Sequence, residues 1–270
     1  MLFPLFDRQP TTRFPILTIL LIVVNLGIAF WSTTLPDKET LDLVYERGLV
    51  PERLTSVDSG KPLPIVRDLG DDRIYRTTLN TEPTAVYSSL LTMMFLHGGW
   101  LHVITNMWML WVFGNNIEDR LGHFTFAAFY LLGGLAAGYL QWAIDPTSQT
   151  PVVGASGAVW AVLGGYAVTY PKAKVLTLVF VGVPFLLNLP ALLVIAIYFA
   201  IDLAMGILML QGMPAQPIAH WAHVGGCVAG VVLLPLLGIG TSPPDSDWRG
   251  EADAMLQPIA PTDDSQPPKF

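Results

Sequence analysis

Ser156 stands in the stretch GASG, where a Pro-started loop passes into a run apolar enough for a membrane helix. A hydroxyl in that place has two uses. It can cap the helix by accepting from the free N–H groups of the first turn, or it can be a nucleophile. The second use needs a base within hydrogen-bond reach, because a hydroxyl is a weak nucleophile at its own pKa. It also needs fixed donors for the oxyanion that develops on the attacked carbonyl. The chain holds candidates for both. His223 lies just inside a later apolar run, and its neutral form suits a low-dielectric site. His102 and Asn106 are four apart, so they share one helix face. Their ring N–H and amide, with the Ser156 N–H at a helix start, are the donors expected. Ionisable groups within membrane segments are costly and mark function.

Each residue also has a plainer use. His102 and Asn106 can simply hydrogen-bond between helices. His220 is read as interfacial, facing lipid headgroups. His97, ahead of Gly98-Gly99, is read as structural or supporting, and His123 follows a charged stretch. Asp202 can relay protons or, more plainly, hydrogen-bond a neighbouring helix. Cys227 is a small buried hydrophobe. GASGA is not the Gly-x-Ser-x-Gly elbow, because Ala158 holds the last place and no strand precedes it, so an α/β-hydrolase is excluded.

The elements that must carry these residues are membrane helices. Of 270 residues 52% are hydrophobic and 13% charged, and the mean hydropathy is +0.51. Soluble domains carry roughly twice that charged share. A net charge of -7 gives no basic footprint for nucleic acid, and a single cysteine excludes intramolecular disulfides and Cys-rich metal sites. The fold class expected is all-α, a polytopic bundle of six transmembrane helices. These run over Phe14–Trp31, about 98–116, Phe124–Trp142, Ser156 to near Pro171, Leu189–Leu210 and Ile218–Leu237. The first is read as a retained helix, since no small-x-small cleavage site follows it. The fourth is only about 24 Å long, so Ser156 is expected below the membrane surface. Residues 1–13 are read as an N-terminal tail and 32–85 as a long polar connection with a short surface helix in YERGLVPERL. Residues 175–188 are read as interfacial or re-entrant, and 239–270 as a disordered, acidic, Pro-rich tail.

The short connections 143–155 and 211–217 hold no Lys or Arg, and the long connection 32–85 spreads its seven along a length where the rule is weak, whereas Arg8, Arg13, Arg120, Lys172 and Lys174 fall on the opposite side. The expectation is therefore a multi-pass protein of the plasma or inner membrane with both termini cytoplasmic and its site opening outward. Gly98, Ser156 and Ile218 then begin their helices at the same end. Gly157, Gly164 and Gly165 after the serine, with Gly225, Gly226 and Gly230 after His223, allow two of these helices to touch closely. Plain packing would use the same glycines.

Over nearly all of residues 14–238 the chain resembles the rhomboid intramembrane serine proteases. FLHGGWLHVITNM carries a His-x4-His-x3-Asn pattern (His97, His102, Asn106), and GNNIEDRLG a Glu-x-Arg loop (Glu118, Arg120). GASG around Ser156, with Gly154 and Gly157, matches the nucleophile motif. AHVGGCVAG matches Ala-His-x-x-Gly-x-x-x-Gly (Ala222, His223, Gly226, Gly230). The resemblance implies a Ser156–His223 dyad with no acidic third member, no metal and no cofactor. It implies transmembrane protein substrates cut near small or helix-destabilising residues, a long first connection lying partly in the membrane, and a fifth helix gating entry. Trp160 stands where the family has tyrosine stacking on the histidine: an indole still stacks, without the phenolic hydroxyl. Two other readings compete. One is a catalytically inactive rhomboid-like factor that binds and escorts membrane proteins, for which loss of the serine or histidine would be the sign. The other is a His-ligated haem protein or proton-coupled transporter, which the Gly-rich, tightly packing faces oppose.

Overall fold

The computed structural model describes residues 2–70, 73–213 and 218–239. Along the chain come β1 (Leu2–Asp7), α1 (Ile16–Ser32), α2 (Asp37–Arg47), α3 (Pro51–Thr55), β2 (Leu63–Asp68), β3 (Ile74–Leu79) and α4 (Pro83–Thr92). They are followed by α5 (Trp100–Leu121), α6 (His123–Ile144), α7 (Ser156–Thr169), β4 (Lys174–Val181), β5 (Val183–Pro190), α8 (Ala191–Leu210) and α9 (His220–Leu237).

At the centre is α7. Every residue from Gly157 to Ala167 is buried, as befits a helix apolar on all sides. Its fourteen residues span about 21 Å, short of the roughly 30 Å hydrocarbon core. Helices α5, α6, α8 and α9 pack around it. The tightest seam is with α9, where carbonyls occupy the space that side chains would fill. A methyl at Gly226 would lie 2.1 Å from the Gly157 carbonyl oxygen, one at Gly230 would lie 1.9 Å from that of Ala161, and one at Gly164 would lie 2.1 Å from that of Cys227. Backbones meet there. Lipid gives apolar helices no hydrophobic reason to associate, so this close contact is what joins them.

Among the described residues, three helices are long and apolar enough to cross a membrane: His123–Ile144, Ala191–Leu210 and His220–Leu237. The apolar helices Ile16–Ser32 and Ser156–Thr169 are shorter, and α5 ends in the polar run Asn115 to Arg120. The structure thus supports a mostly helical membrane protein. The expectation of an all-α fold is corrected, because the described residues include five strands.

Residues 175–188, expected to lie at or re-enter the membrane, fall within an antiparallel hairpin of β4 and β5, and β1 adds to it as a third strand. Its sequence is rich in Val, Leu and Phe, with Pro184 and Pro190 opposing a helix, and Gly182 turns the chain at φ +83°. Residues 1–13 are therefore no free tail. Asp7, at the end of β1, is 3% exposed and accepts from Tyr166 Oη (2.7 Å) and Asn116 Nδ2 (2.6 Å). Burial pushes its carboxyl up to about 6, against the hydrogen bonds, which favour the charged form. The long connection 32–85 is a folded cap with its own apolar cluster of Tyr45, Val50, Leu63, Ile65, Tyr75 and Leu79.

The stretch expected to be a Glu-x-Arg loop is helical to Leu121, and Gly122, at φ +76°, alone makes the turn into α6. Glu118 is 1% exposed there and faces the start of α1. It accepts from the Leu17 and Thr18 amides at 2.8 and 2.7 Å, filling the role of the missing N-cap. Asp119 accepts from the Thr12 and Arg13 amides in the same way. Residues 240–270, and with them the expected disordered tail, lie outside the described residues.

Candidate active site

The loop before Ser156 is pinned at each step. Val152 and Leu49 exchange backbone hydrogen bonds at 2.8 and 3.0 Å, and the Gly154 N–H donates to the Met93 carbonyl at 2.9 Å. Gly154 sits at φ +131°, a conformation open chiefly to glycine. The Ala155 N–H donates to His97 Nε2 at 3.3 Å, which gives His97 a supporting role under the loop. Ala155, not Ser156, is the N-cap of α7, and no side chain caps this helix. The first intrahelical bond runs from the Val159 N–H to the Ala155 carbonyl. The amides of Ser156, Gly157 and Ala158 come before it and belong to the orphan donors of a helix start. The capping use of Ser156 is not made.

On α5, Gly98 donates its N–H to His102 Nδ1 at 3.4 Å, which makes Nδ1 an acceptor and leaves the proton on Nε2. That edge lies against Gly154. A methyl there would be 2.7 Å from His102 Cε1, 2.8 Å from Nε2 and 3.5 Å from Ser156 Oγ. The imidazole edge and the hydroxyl thus flank the same glycine. His97 and His102 meet edge to face at 5.2 Å. Asn106, one turn further along α5, is 7% exposed, and its Nδ2 has no hydrogen-bond partner among the described residues.

From α9, His223 stacks on Trp160 with ring centroids 5.6 Å apart and planes at 27°. Trp160 is four residues beyond Ser156, on the same face of α7, so the stack holds the imidazole on the serine's side of the seam. The indole stacks as expected. These contacts bring together His97 and His102 from α5 and its lead-in, Gly154 to Trp160 from α7 and its loop, and His223 with Gly226 from α9, with Asn106 one turn along α5 from His102.

Two expectations change. His220, expected at the lipid interface, is 5% exposed and its Nδ1 hydrogen-bonds Asp202 Oδ1. Asp202 also meets His223, with its Oδ2 3.0 Å from Nδ1. The resemblance implied no acidic group beside this histidine, yet one is there. The signal in the sequence was the lone acidic residue of Ala191–Leu210, together with two histidines three apart at the head of the next helix.

These features define a helical membrane protein that places one set of its buried polar side chains where α5, α7 and α9 begin. A family model described as "Rhomboid domain" matches residues 84–239, more than half of the chain. The chain belongs to the rhomboid family, whose members are generally serine proteases acting in the bilayer on membrane substrates. The match starts at α4, so α1 and most of the long connection lie outside it, a narrower span than the resemblance suggested.

Among curated proteins the chain is 28% identical over 152 residues to "Rhomboid-like protein 11, chloroplastic" of Arabidopsis thaliana, covering 54% of this chain and 51% of that one. It is 30% identical over 139 residues to "Presenilin-associated rhomboid-like protein A, mitochondrial" of Danio rerio, covering 51% and 34%. It is 30% identical over 165 residues to "RHOMBOID-like protein 6, mitochondrial" of Arabidopsis thaliana, covering 59% and 46%. The chain spans about half the length of these relatives or less. Their names point to organellar membranes and correct the expectation of a plasma or inner membrane with cytoplasmic termini. Hydropathy and loop charge report which side of a bilayer a loop faces, not which bilayer it is.

Proposed function

We propose that this chain is an intramembrane serine endopeptidase that hydrolyses peptide bonds in or near transmembrane segments of other membrane proteins. The observation that carries the reading is the state of Ser156. Its hydroxyl does no capping, its N–H heads an uncapped helix, and His102 Nε2 lies across Gly154 from its Oγ. In the step proposed, Ser156 Oγ attacks the substrate carbonyl while His223 Nε2 takes the hydroxyl proton. The oxyanion is held by the Ser156 N–H, the His102 Nε2–H and Asn106 Nδ2, whose lack of a partner suits a donor kept for the transition state. His223 then protonates the leaving amine. In the second half it takes a proton from water, which hydrolyses the acyl-enzyme and restores Ser156.

The catalytic unit is assigned to residues 14–238, with α1, α5, α6, α7, α8 and α9 as its six membrane helices. Gly157 and Gly226 allow the approach that brings Ser156 to His223, and no cofactor takes part. The test is fluorophosphonate labelling in membranes, together with cleavage of a reporter bearing a transmembrane segment. Wild type is expected to label and cleave, and Ser156→Ala and His223→Ala to do neither while remaining folded. Labelling or cleavage that survives in Ser156→Ala refutes the assignment.

A further inference from the structure

Asp202 is the one acidic residue of α8 and is 9% exposed. Its two carboxylate oxygens are divided between His220 Nδ1 and His223 Nδ1, the latter at 3.0 Å. The placement is enforced by packing. Gly206, one turn further along α8, lets that helix press on Trp221, which lies between the two histidines in sequence: a methyl there would sit 3.0 Å from Trp221 Cε2.

The three ligand-type atoms lie within 4.8 Å of one another, close enough to raise the question of a metal. Spacing decides it. A tetrahedral zinc with bonds of about 2.0–2.1 Å keeps its ligand atoms about 3.3 Å apart. The 3.0 Å contact, and the still shorter one to His220, are hydrogen-bond separations.

A carboxylate can only accept, so each histidine must donate its Nδ1–H to Asp202. The carboxylate therefore sets the tautomer of His223: proton on Nδ1, lone pair on Nε2. That is the tautomer a base needs if Nε2 is to face the serine. From these contacts we propose that Asp202 is a positioning residue for His223, so that the dyad works as a Ser156–His223–Asp202 relay of orientation, with His220 as the second anchor of the carboxylate. The proposal rests on the reading of Ser156 and His223 given above. Asp202 stays ionised throughout and exchanges no proton. It holds the ring and stabilises the imidazolium formed when Ser156 gives up its proton.

The experiment uses the purified protein. Wild type and Ser156→Ala are labelled first, and failure of wild type to label, or labelling that persists in Ser156→Ala, sinks the underlying reading rather than this one. With that control in hand, Asp202→Asn is expected to slow labelling at least a hundredfold, as loss of the orienting carboxylate does in serine proteases. Asp202→Glu is expected to recover at least tenfold of the loss. An Asn variant within threefold of wild type overturns the proposal, as does a Glu variant no better than Asn. Nitrogen-15 NMR of histidine-labelled wild type needs no folded variant at position 202. With the signal assigned by its loss in His223→Ala, a protonated Nδ1 and bare Nε2 support the proposal and the reverse tautomer overturns it. Labelling that changes on adding a chelator would mean a metal at the cluster and would also overturn it.

Discussion

Gly226→Ala tests whether the α7–α9 seam is what makes the site. The added methyl would stand 2.1 Å from the Gly157 carbonyl oxygen. Such a contact needs roughly 3.2 Å, and the obstacle is backbone rather than a side chain that can rotate away, so the helices must part by about 1 Å. They cannot part at one point alone, since Gly230 against Ala161 and Gly164 against Cys227 are rungs of the same seam. Overpacking of this kind costs about 1–3 kcal/mol. The catalytic cost should be larger. Ser156 lies on one side of the seam and His223 on the other, and a displacement of about 1 Å between reacting groups lowers rates about a hundredfold. The assay pairs the fluorophosphonate labelling rate with thermal unfolding in detergent. The variant is expected to fold, to melt lower and to label about a hundredfold more slowly. Gly27→Ala on α1, where nothing lies within 4 Å of the added methyl, is the matched control and should leave both readouts unchanged. If Gly226→Ala labels within threefold of wild type, close approach is not what holds the dyad and the argument fails.

Three further outcomes are expected. Glu118→Ala strands the Leu17 and Thr18 amides at the start of α1 and should cost about 1–3 kcal/mol of stability, read as a lower Tm; an unchanged Tm would mean water replaces the carboxylate there. Asp7 holds its proton up to about pH 6 in the folded protein, against 3.8 as its ordinary value. The native state therefore binds more protons in that window, and stability must fall as pH rises through it, by up to about 3 kcal/mol from this group. Asp7→Asn should remove that slope and melt higher than wild type above about pH 6, as thermal unfolding across the range would reveal. Trp160→Ala loses the stack on His223 and should label up to about tenfold more slowly, whereas Trp160→Tyr, which keeps an aromatic face, should stay within about threefold.

How far the sequence carried depends on the range of each interaction. Helices α1 and α5 to α9 were legible because apolar runs bounded by Gly, Pro and polar stretches are local features, and their observed ends fall mostly within a few residues of expectation; α2 and α4 were not placed, and the short helix expected in YERGLVPERL is broken at Gly48–Val50 between α2 and α3. An exception is α5, whose polar end continues to Leu121 because Glu118 and Asp119 are buried by the N-terminal segment, a hundred residues away in sequence. The β4–β5 hairpin was not legible for a similar reason. A run such as VLTLVFV suits a membrane surface or a strand alike, and β1 supplies a pairing edge from the far end of the chain. At the site, residue types and spacing picked out Ser156, His223, His102 and Asn106. The pairing of Asp202 with both histidines depends on how α8 crosses α9, which no local pattern reports.

The direction of the helices adds a reason for gathering the polar groups at this end. Contacts from His97 and His102 to the loop before Ser156, and from Trp160 to His223, show that α5, α7 and α9 present their N-termini together. Each N-terminus carries roughly half a positive charge from its unpaired amides. In an apolar surrounding these partial charges are weakly screened. They favour negative charge at two places: the oxyanion that would form beside the Ser156 N–H, and Asp202, whose carboxylate lies against His220, the first residue of α9. One arrangement thus lowers the cost of a buried carboxylate and of a transient oxyanion. If the helix end contributes, a like charge placed on the first turn of α9 should compete with Asp202 and weaken the hold on His223.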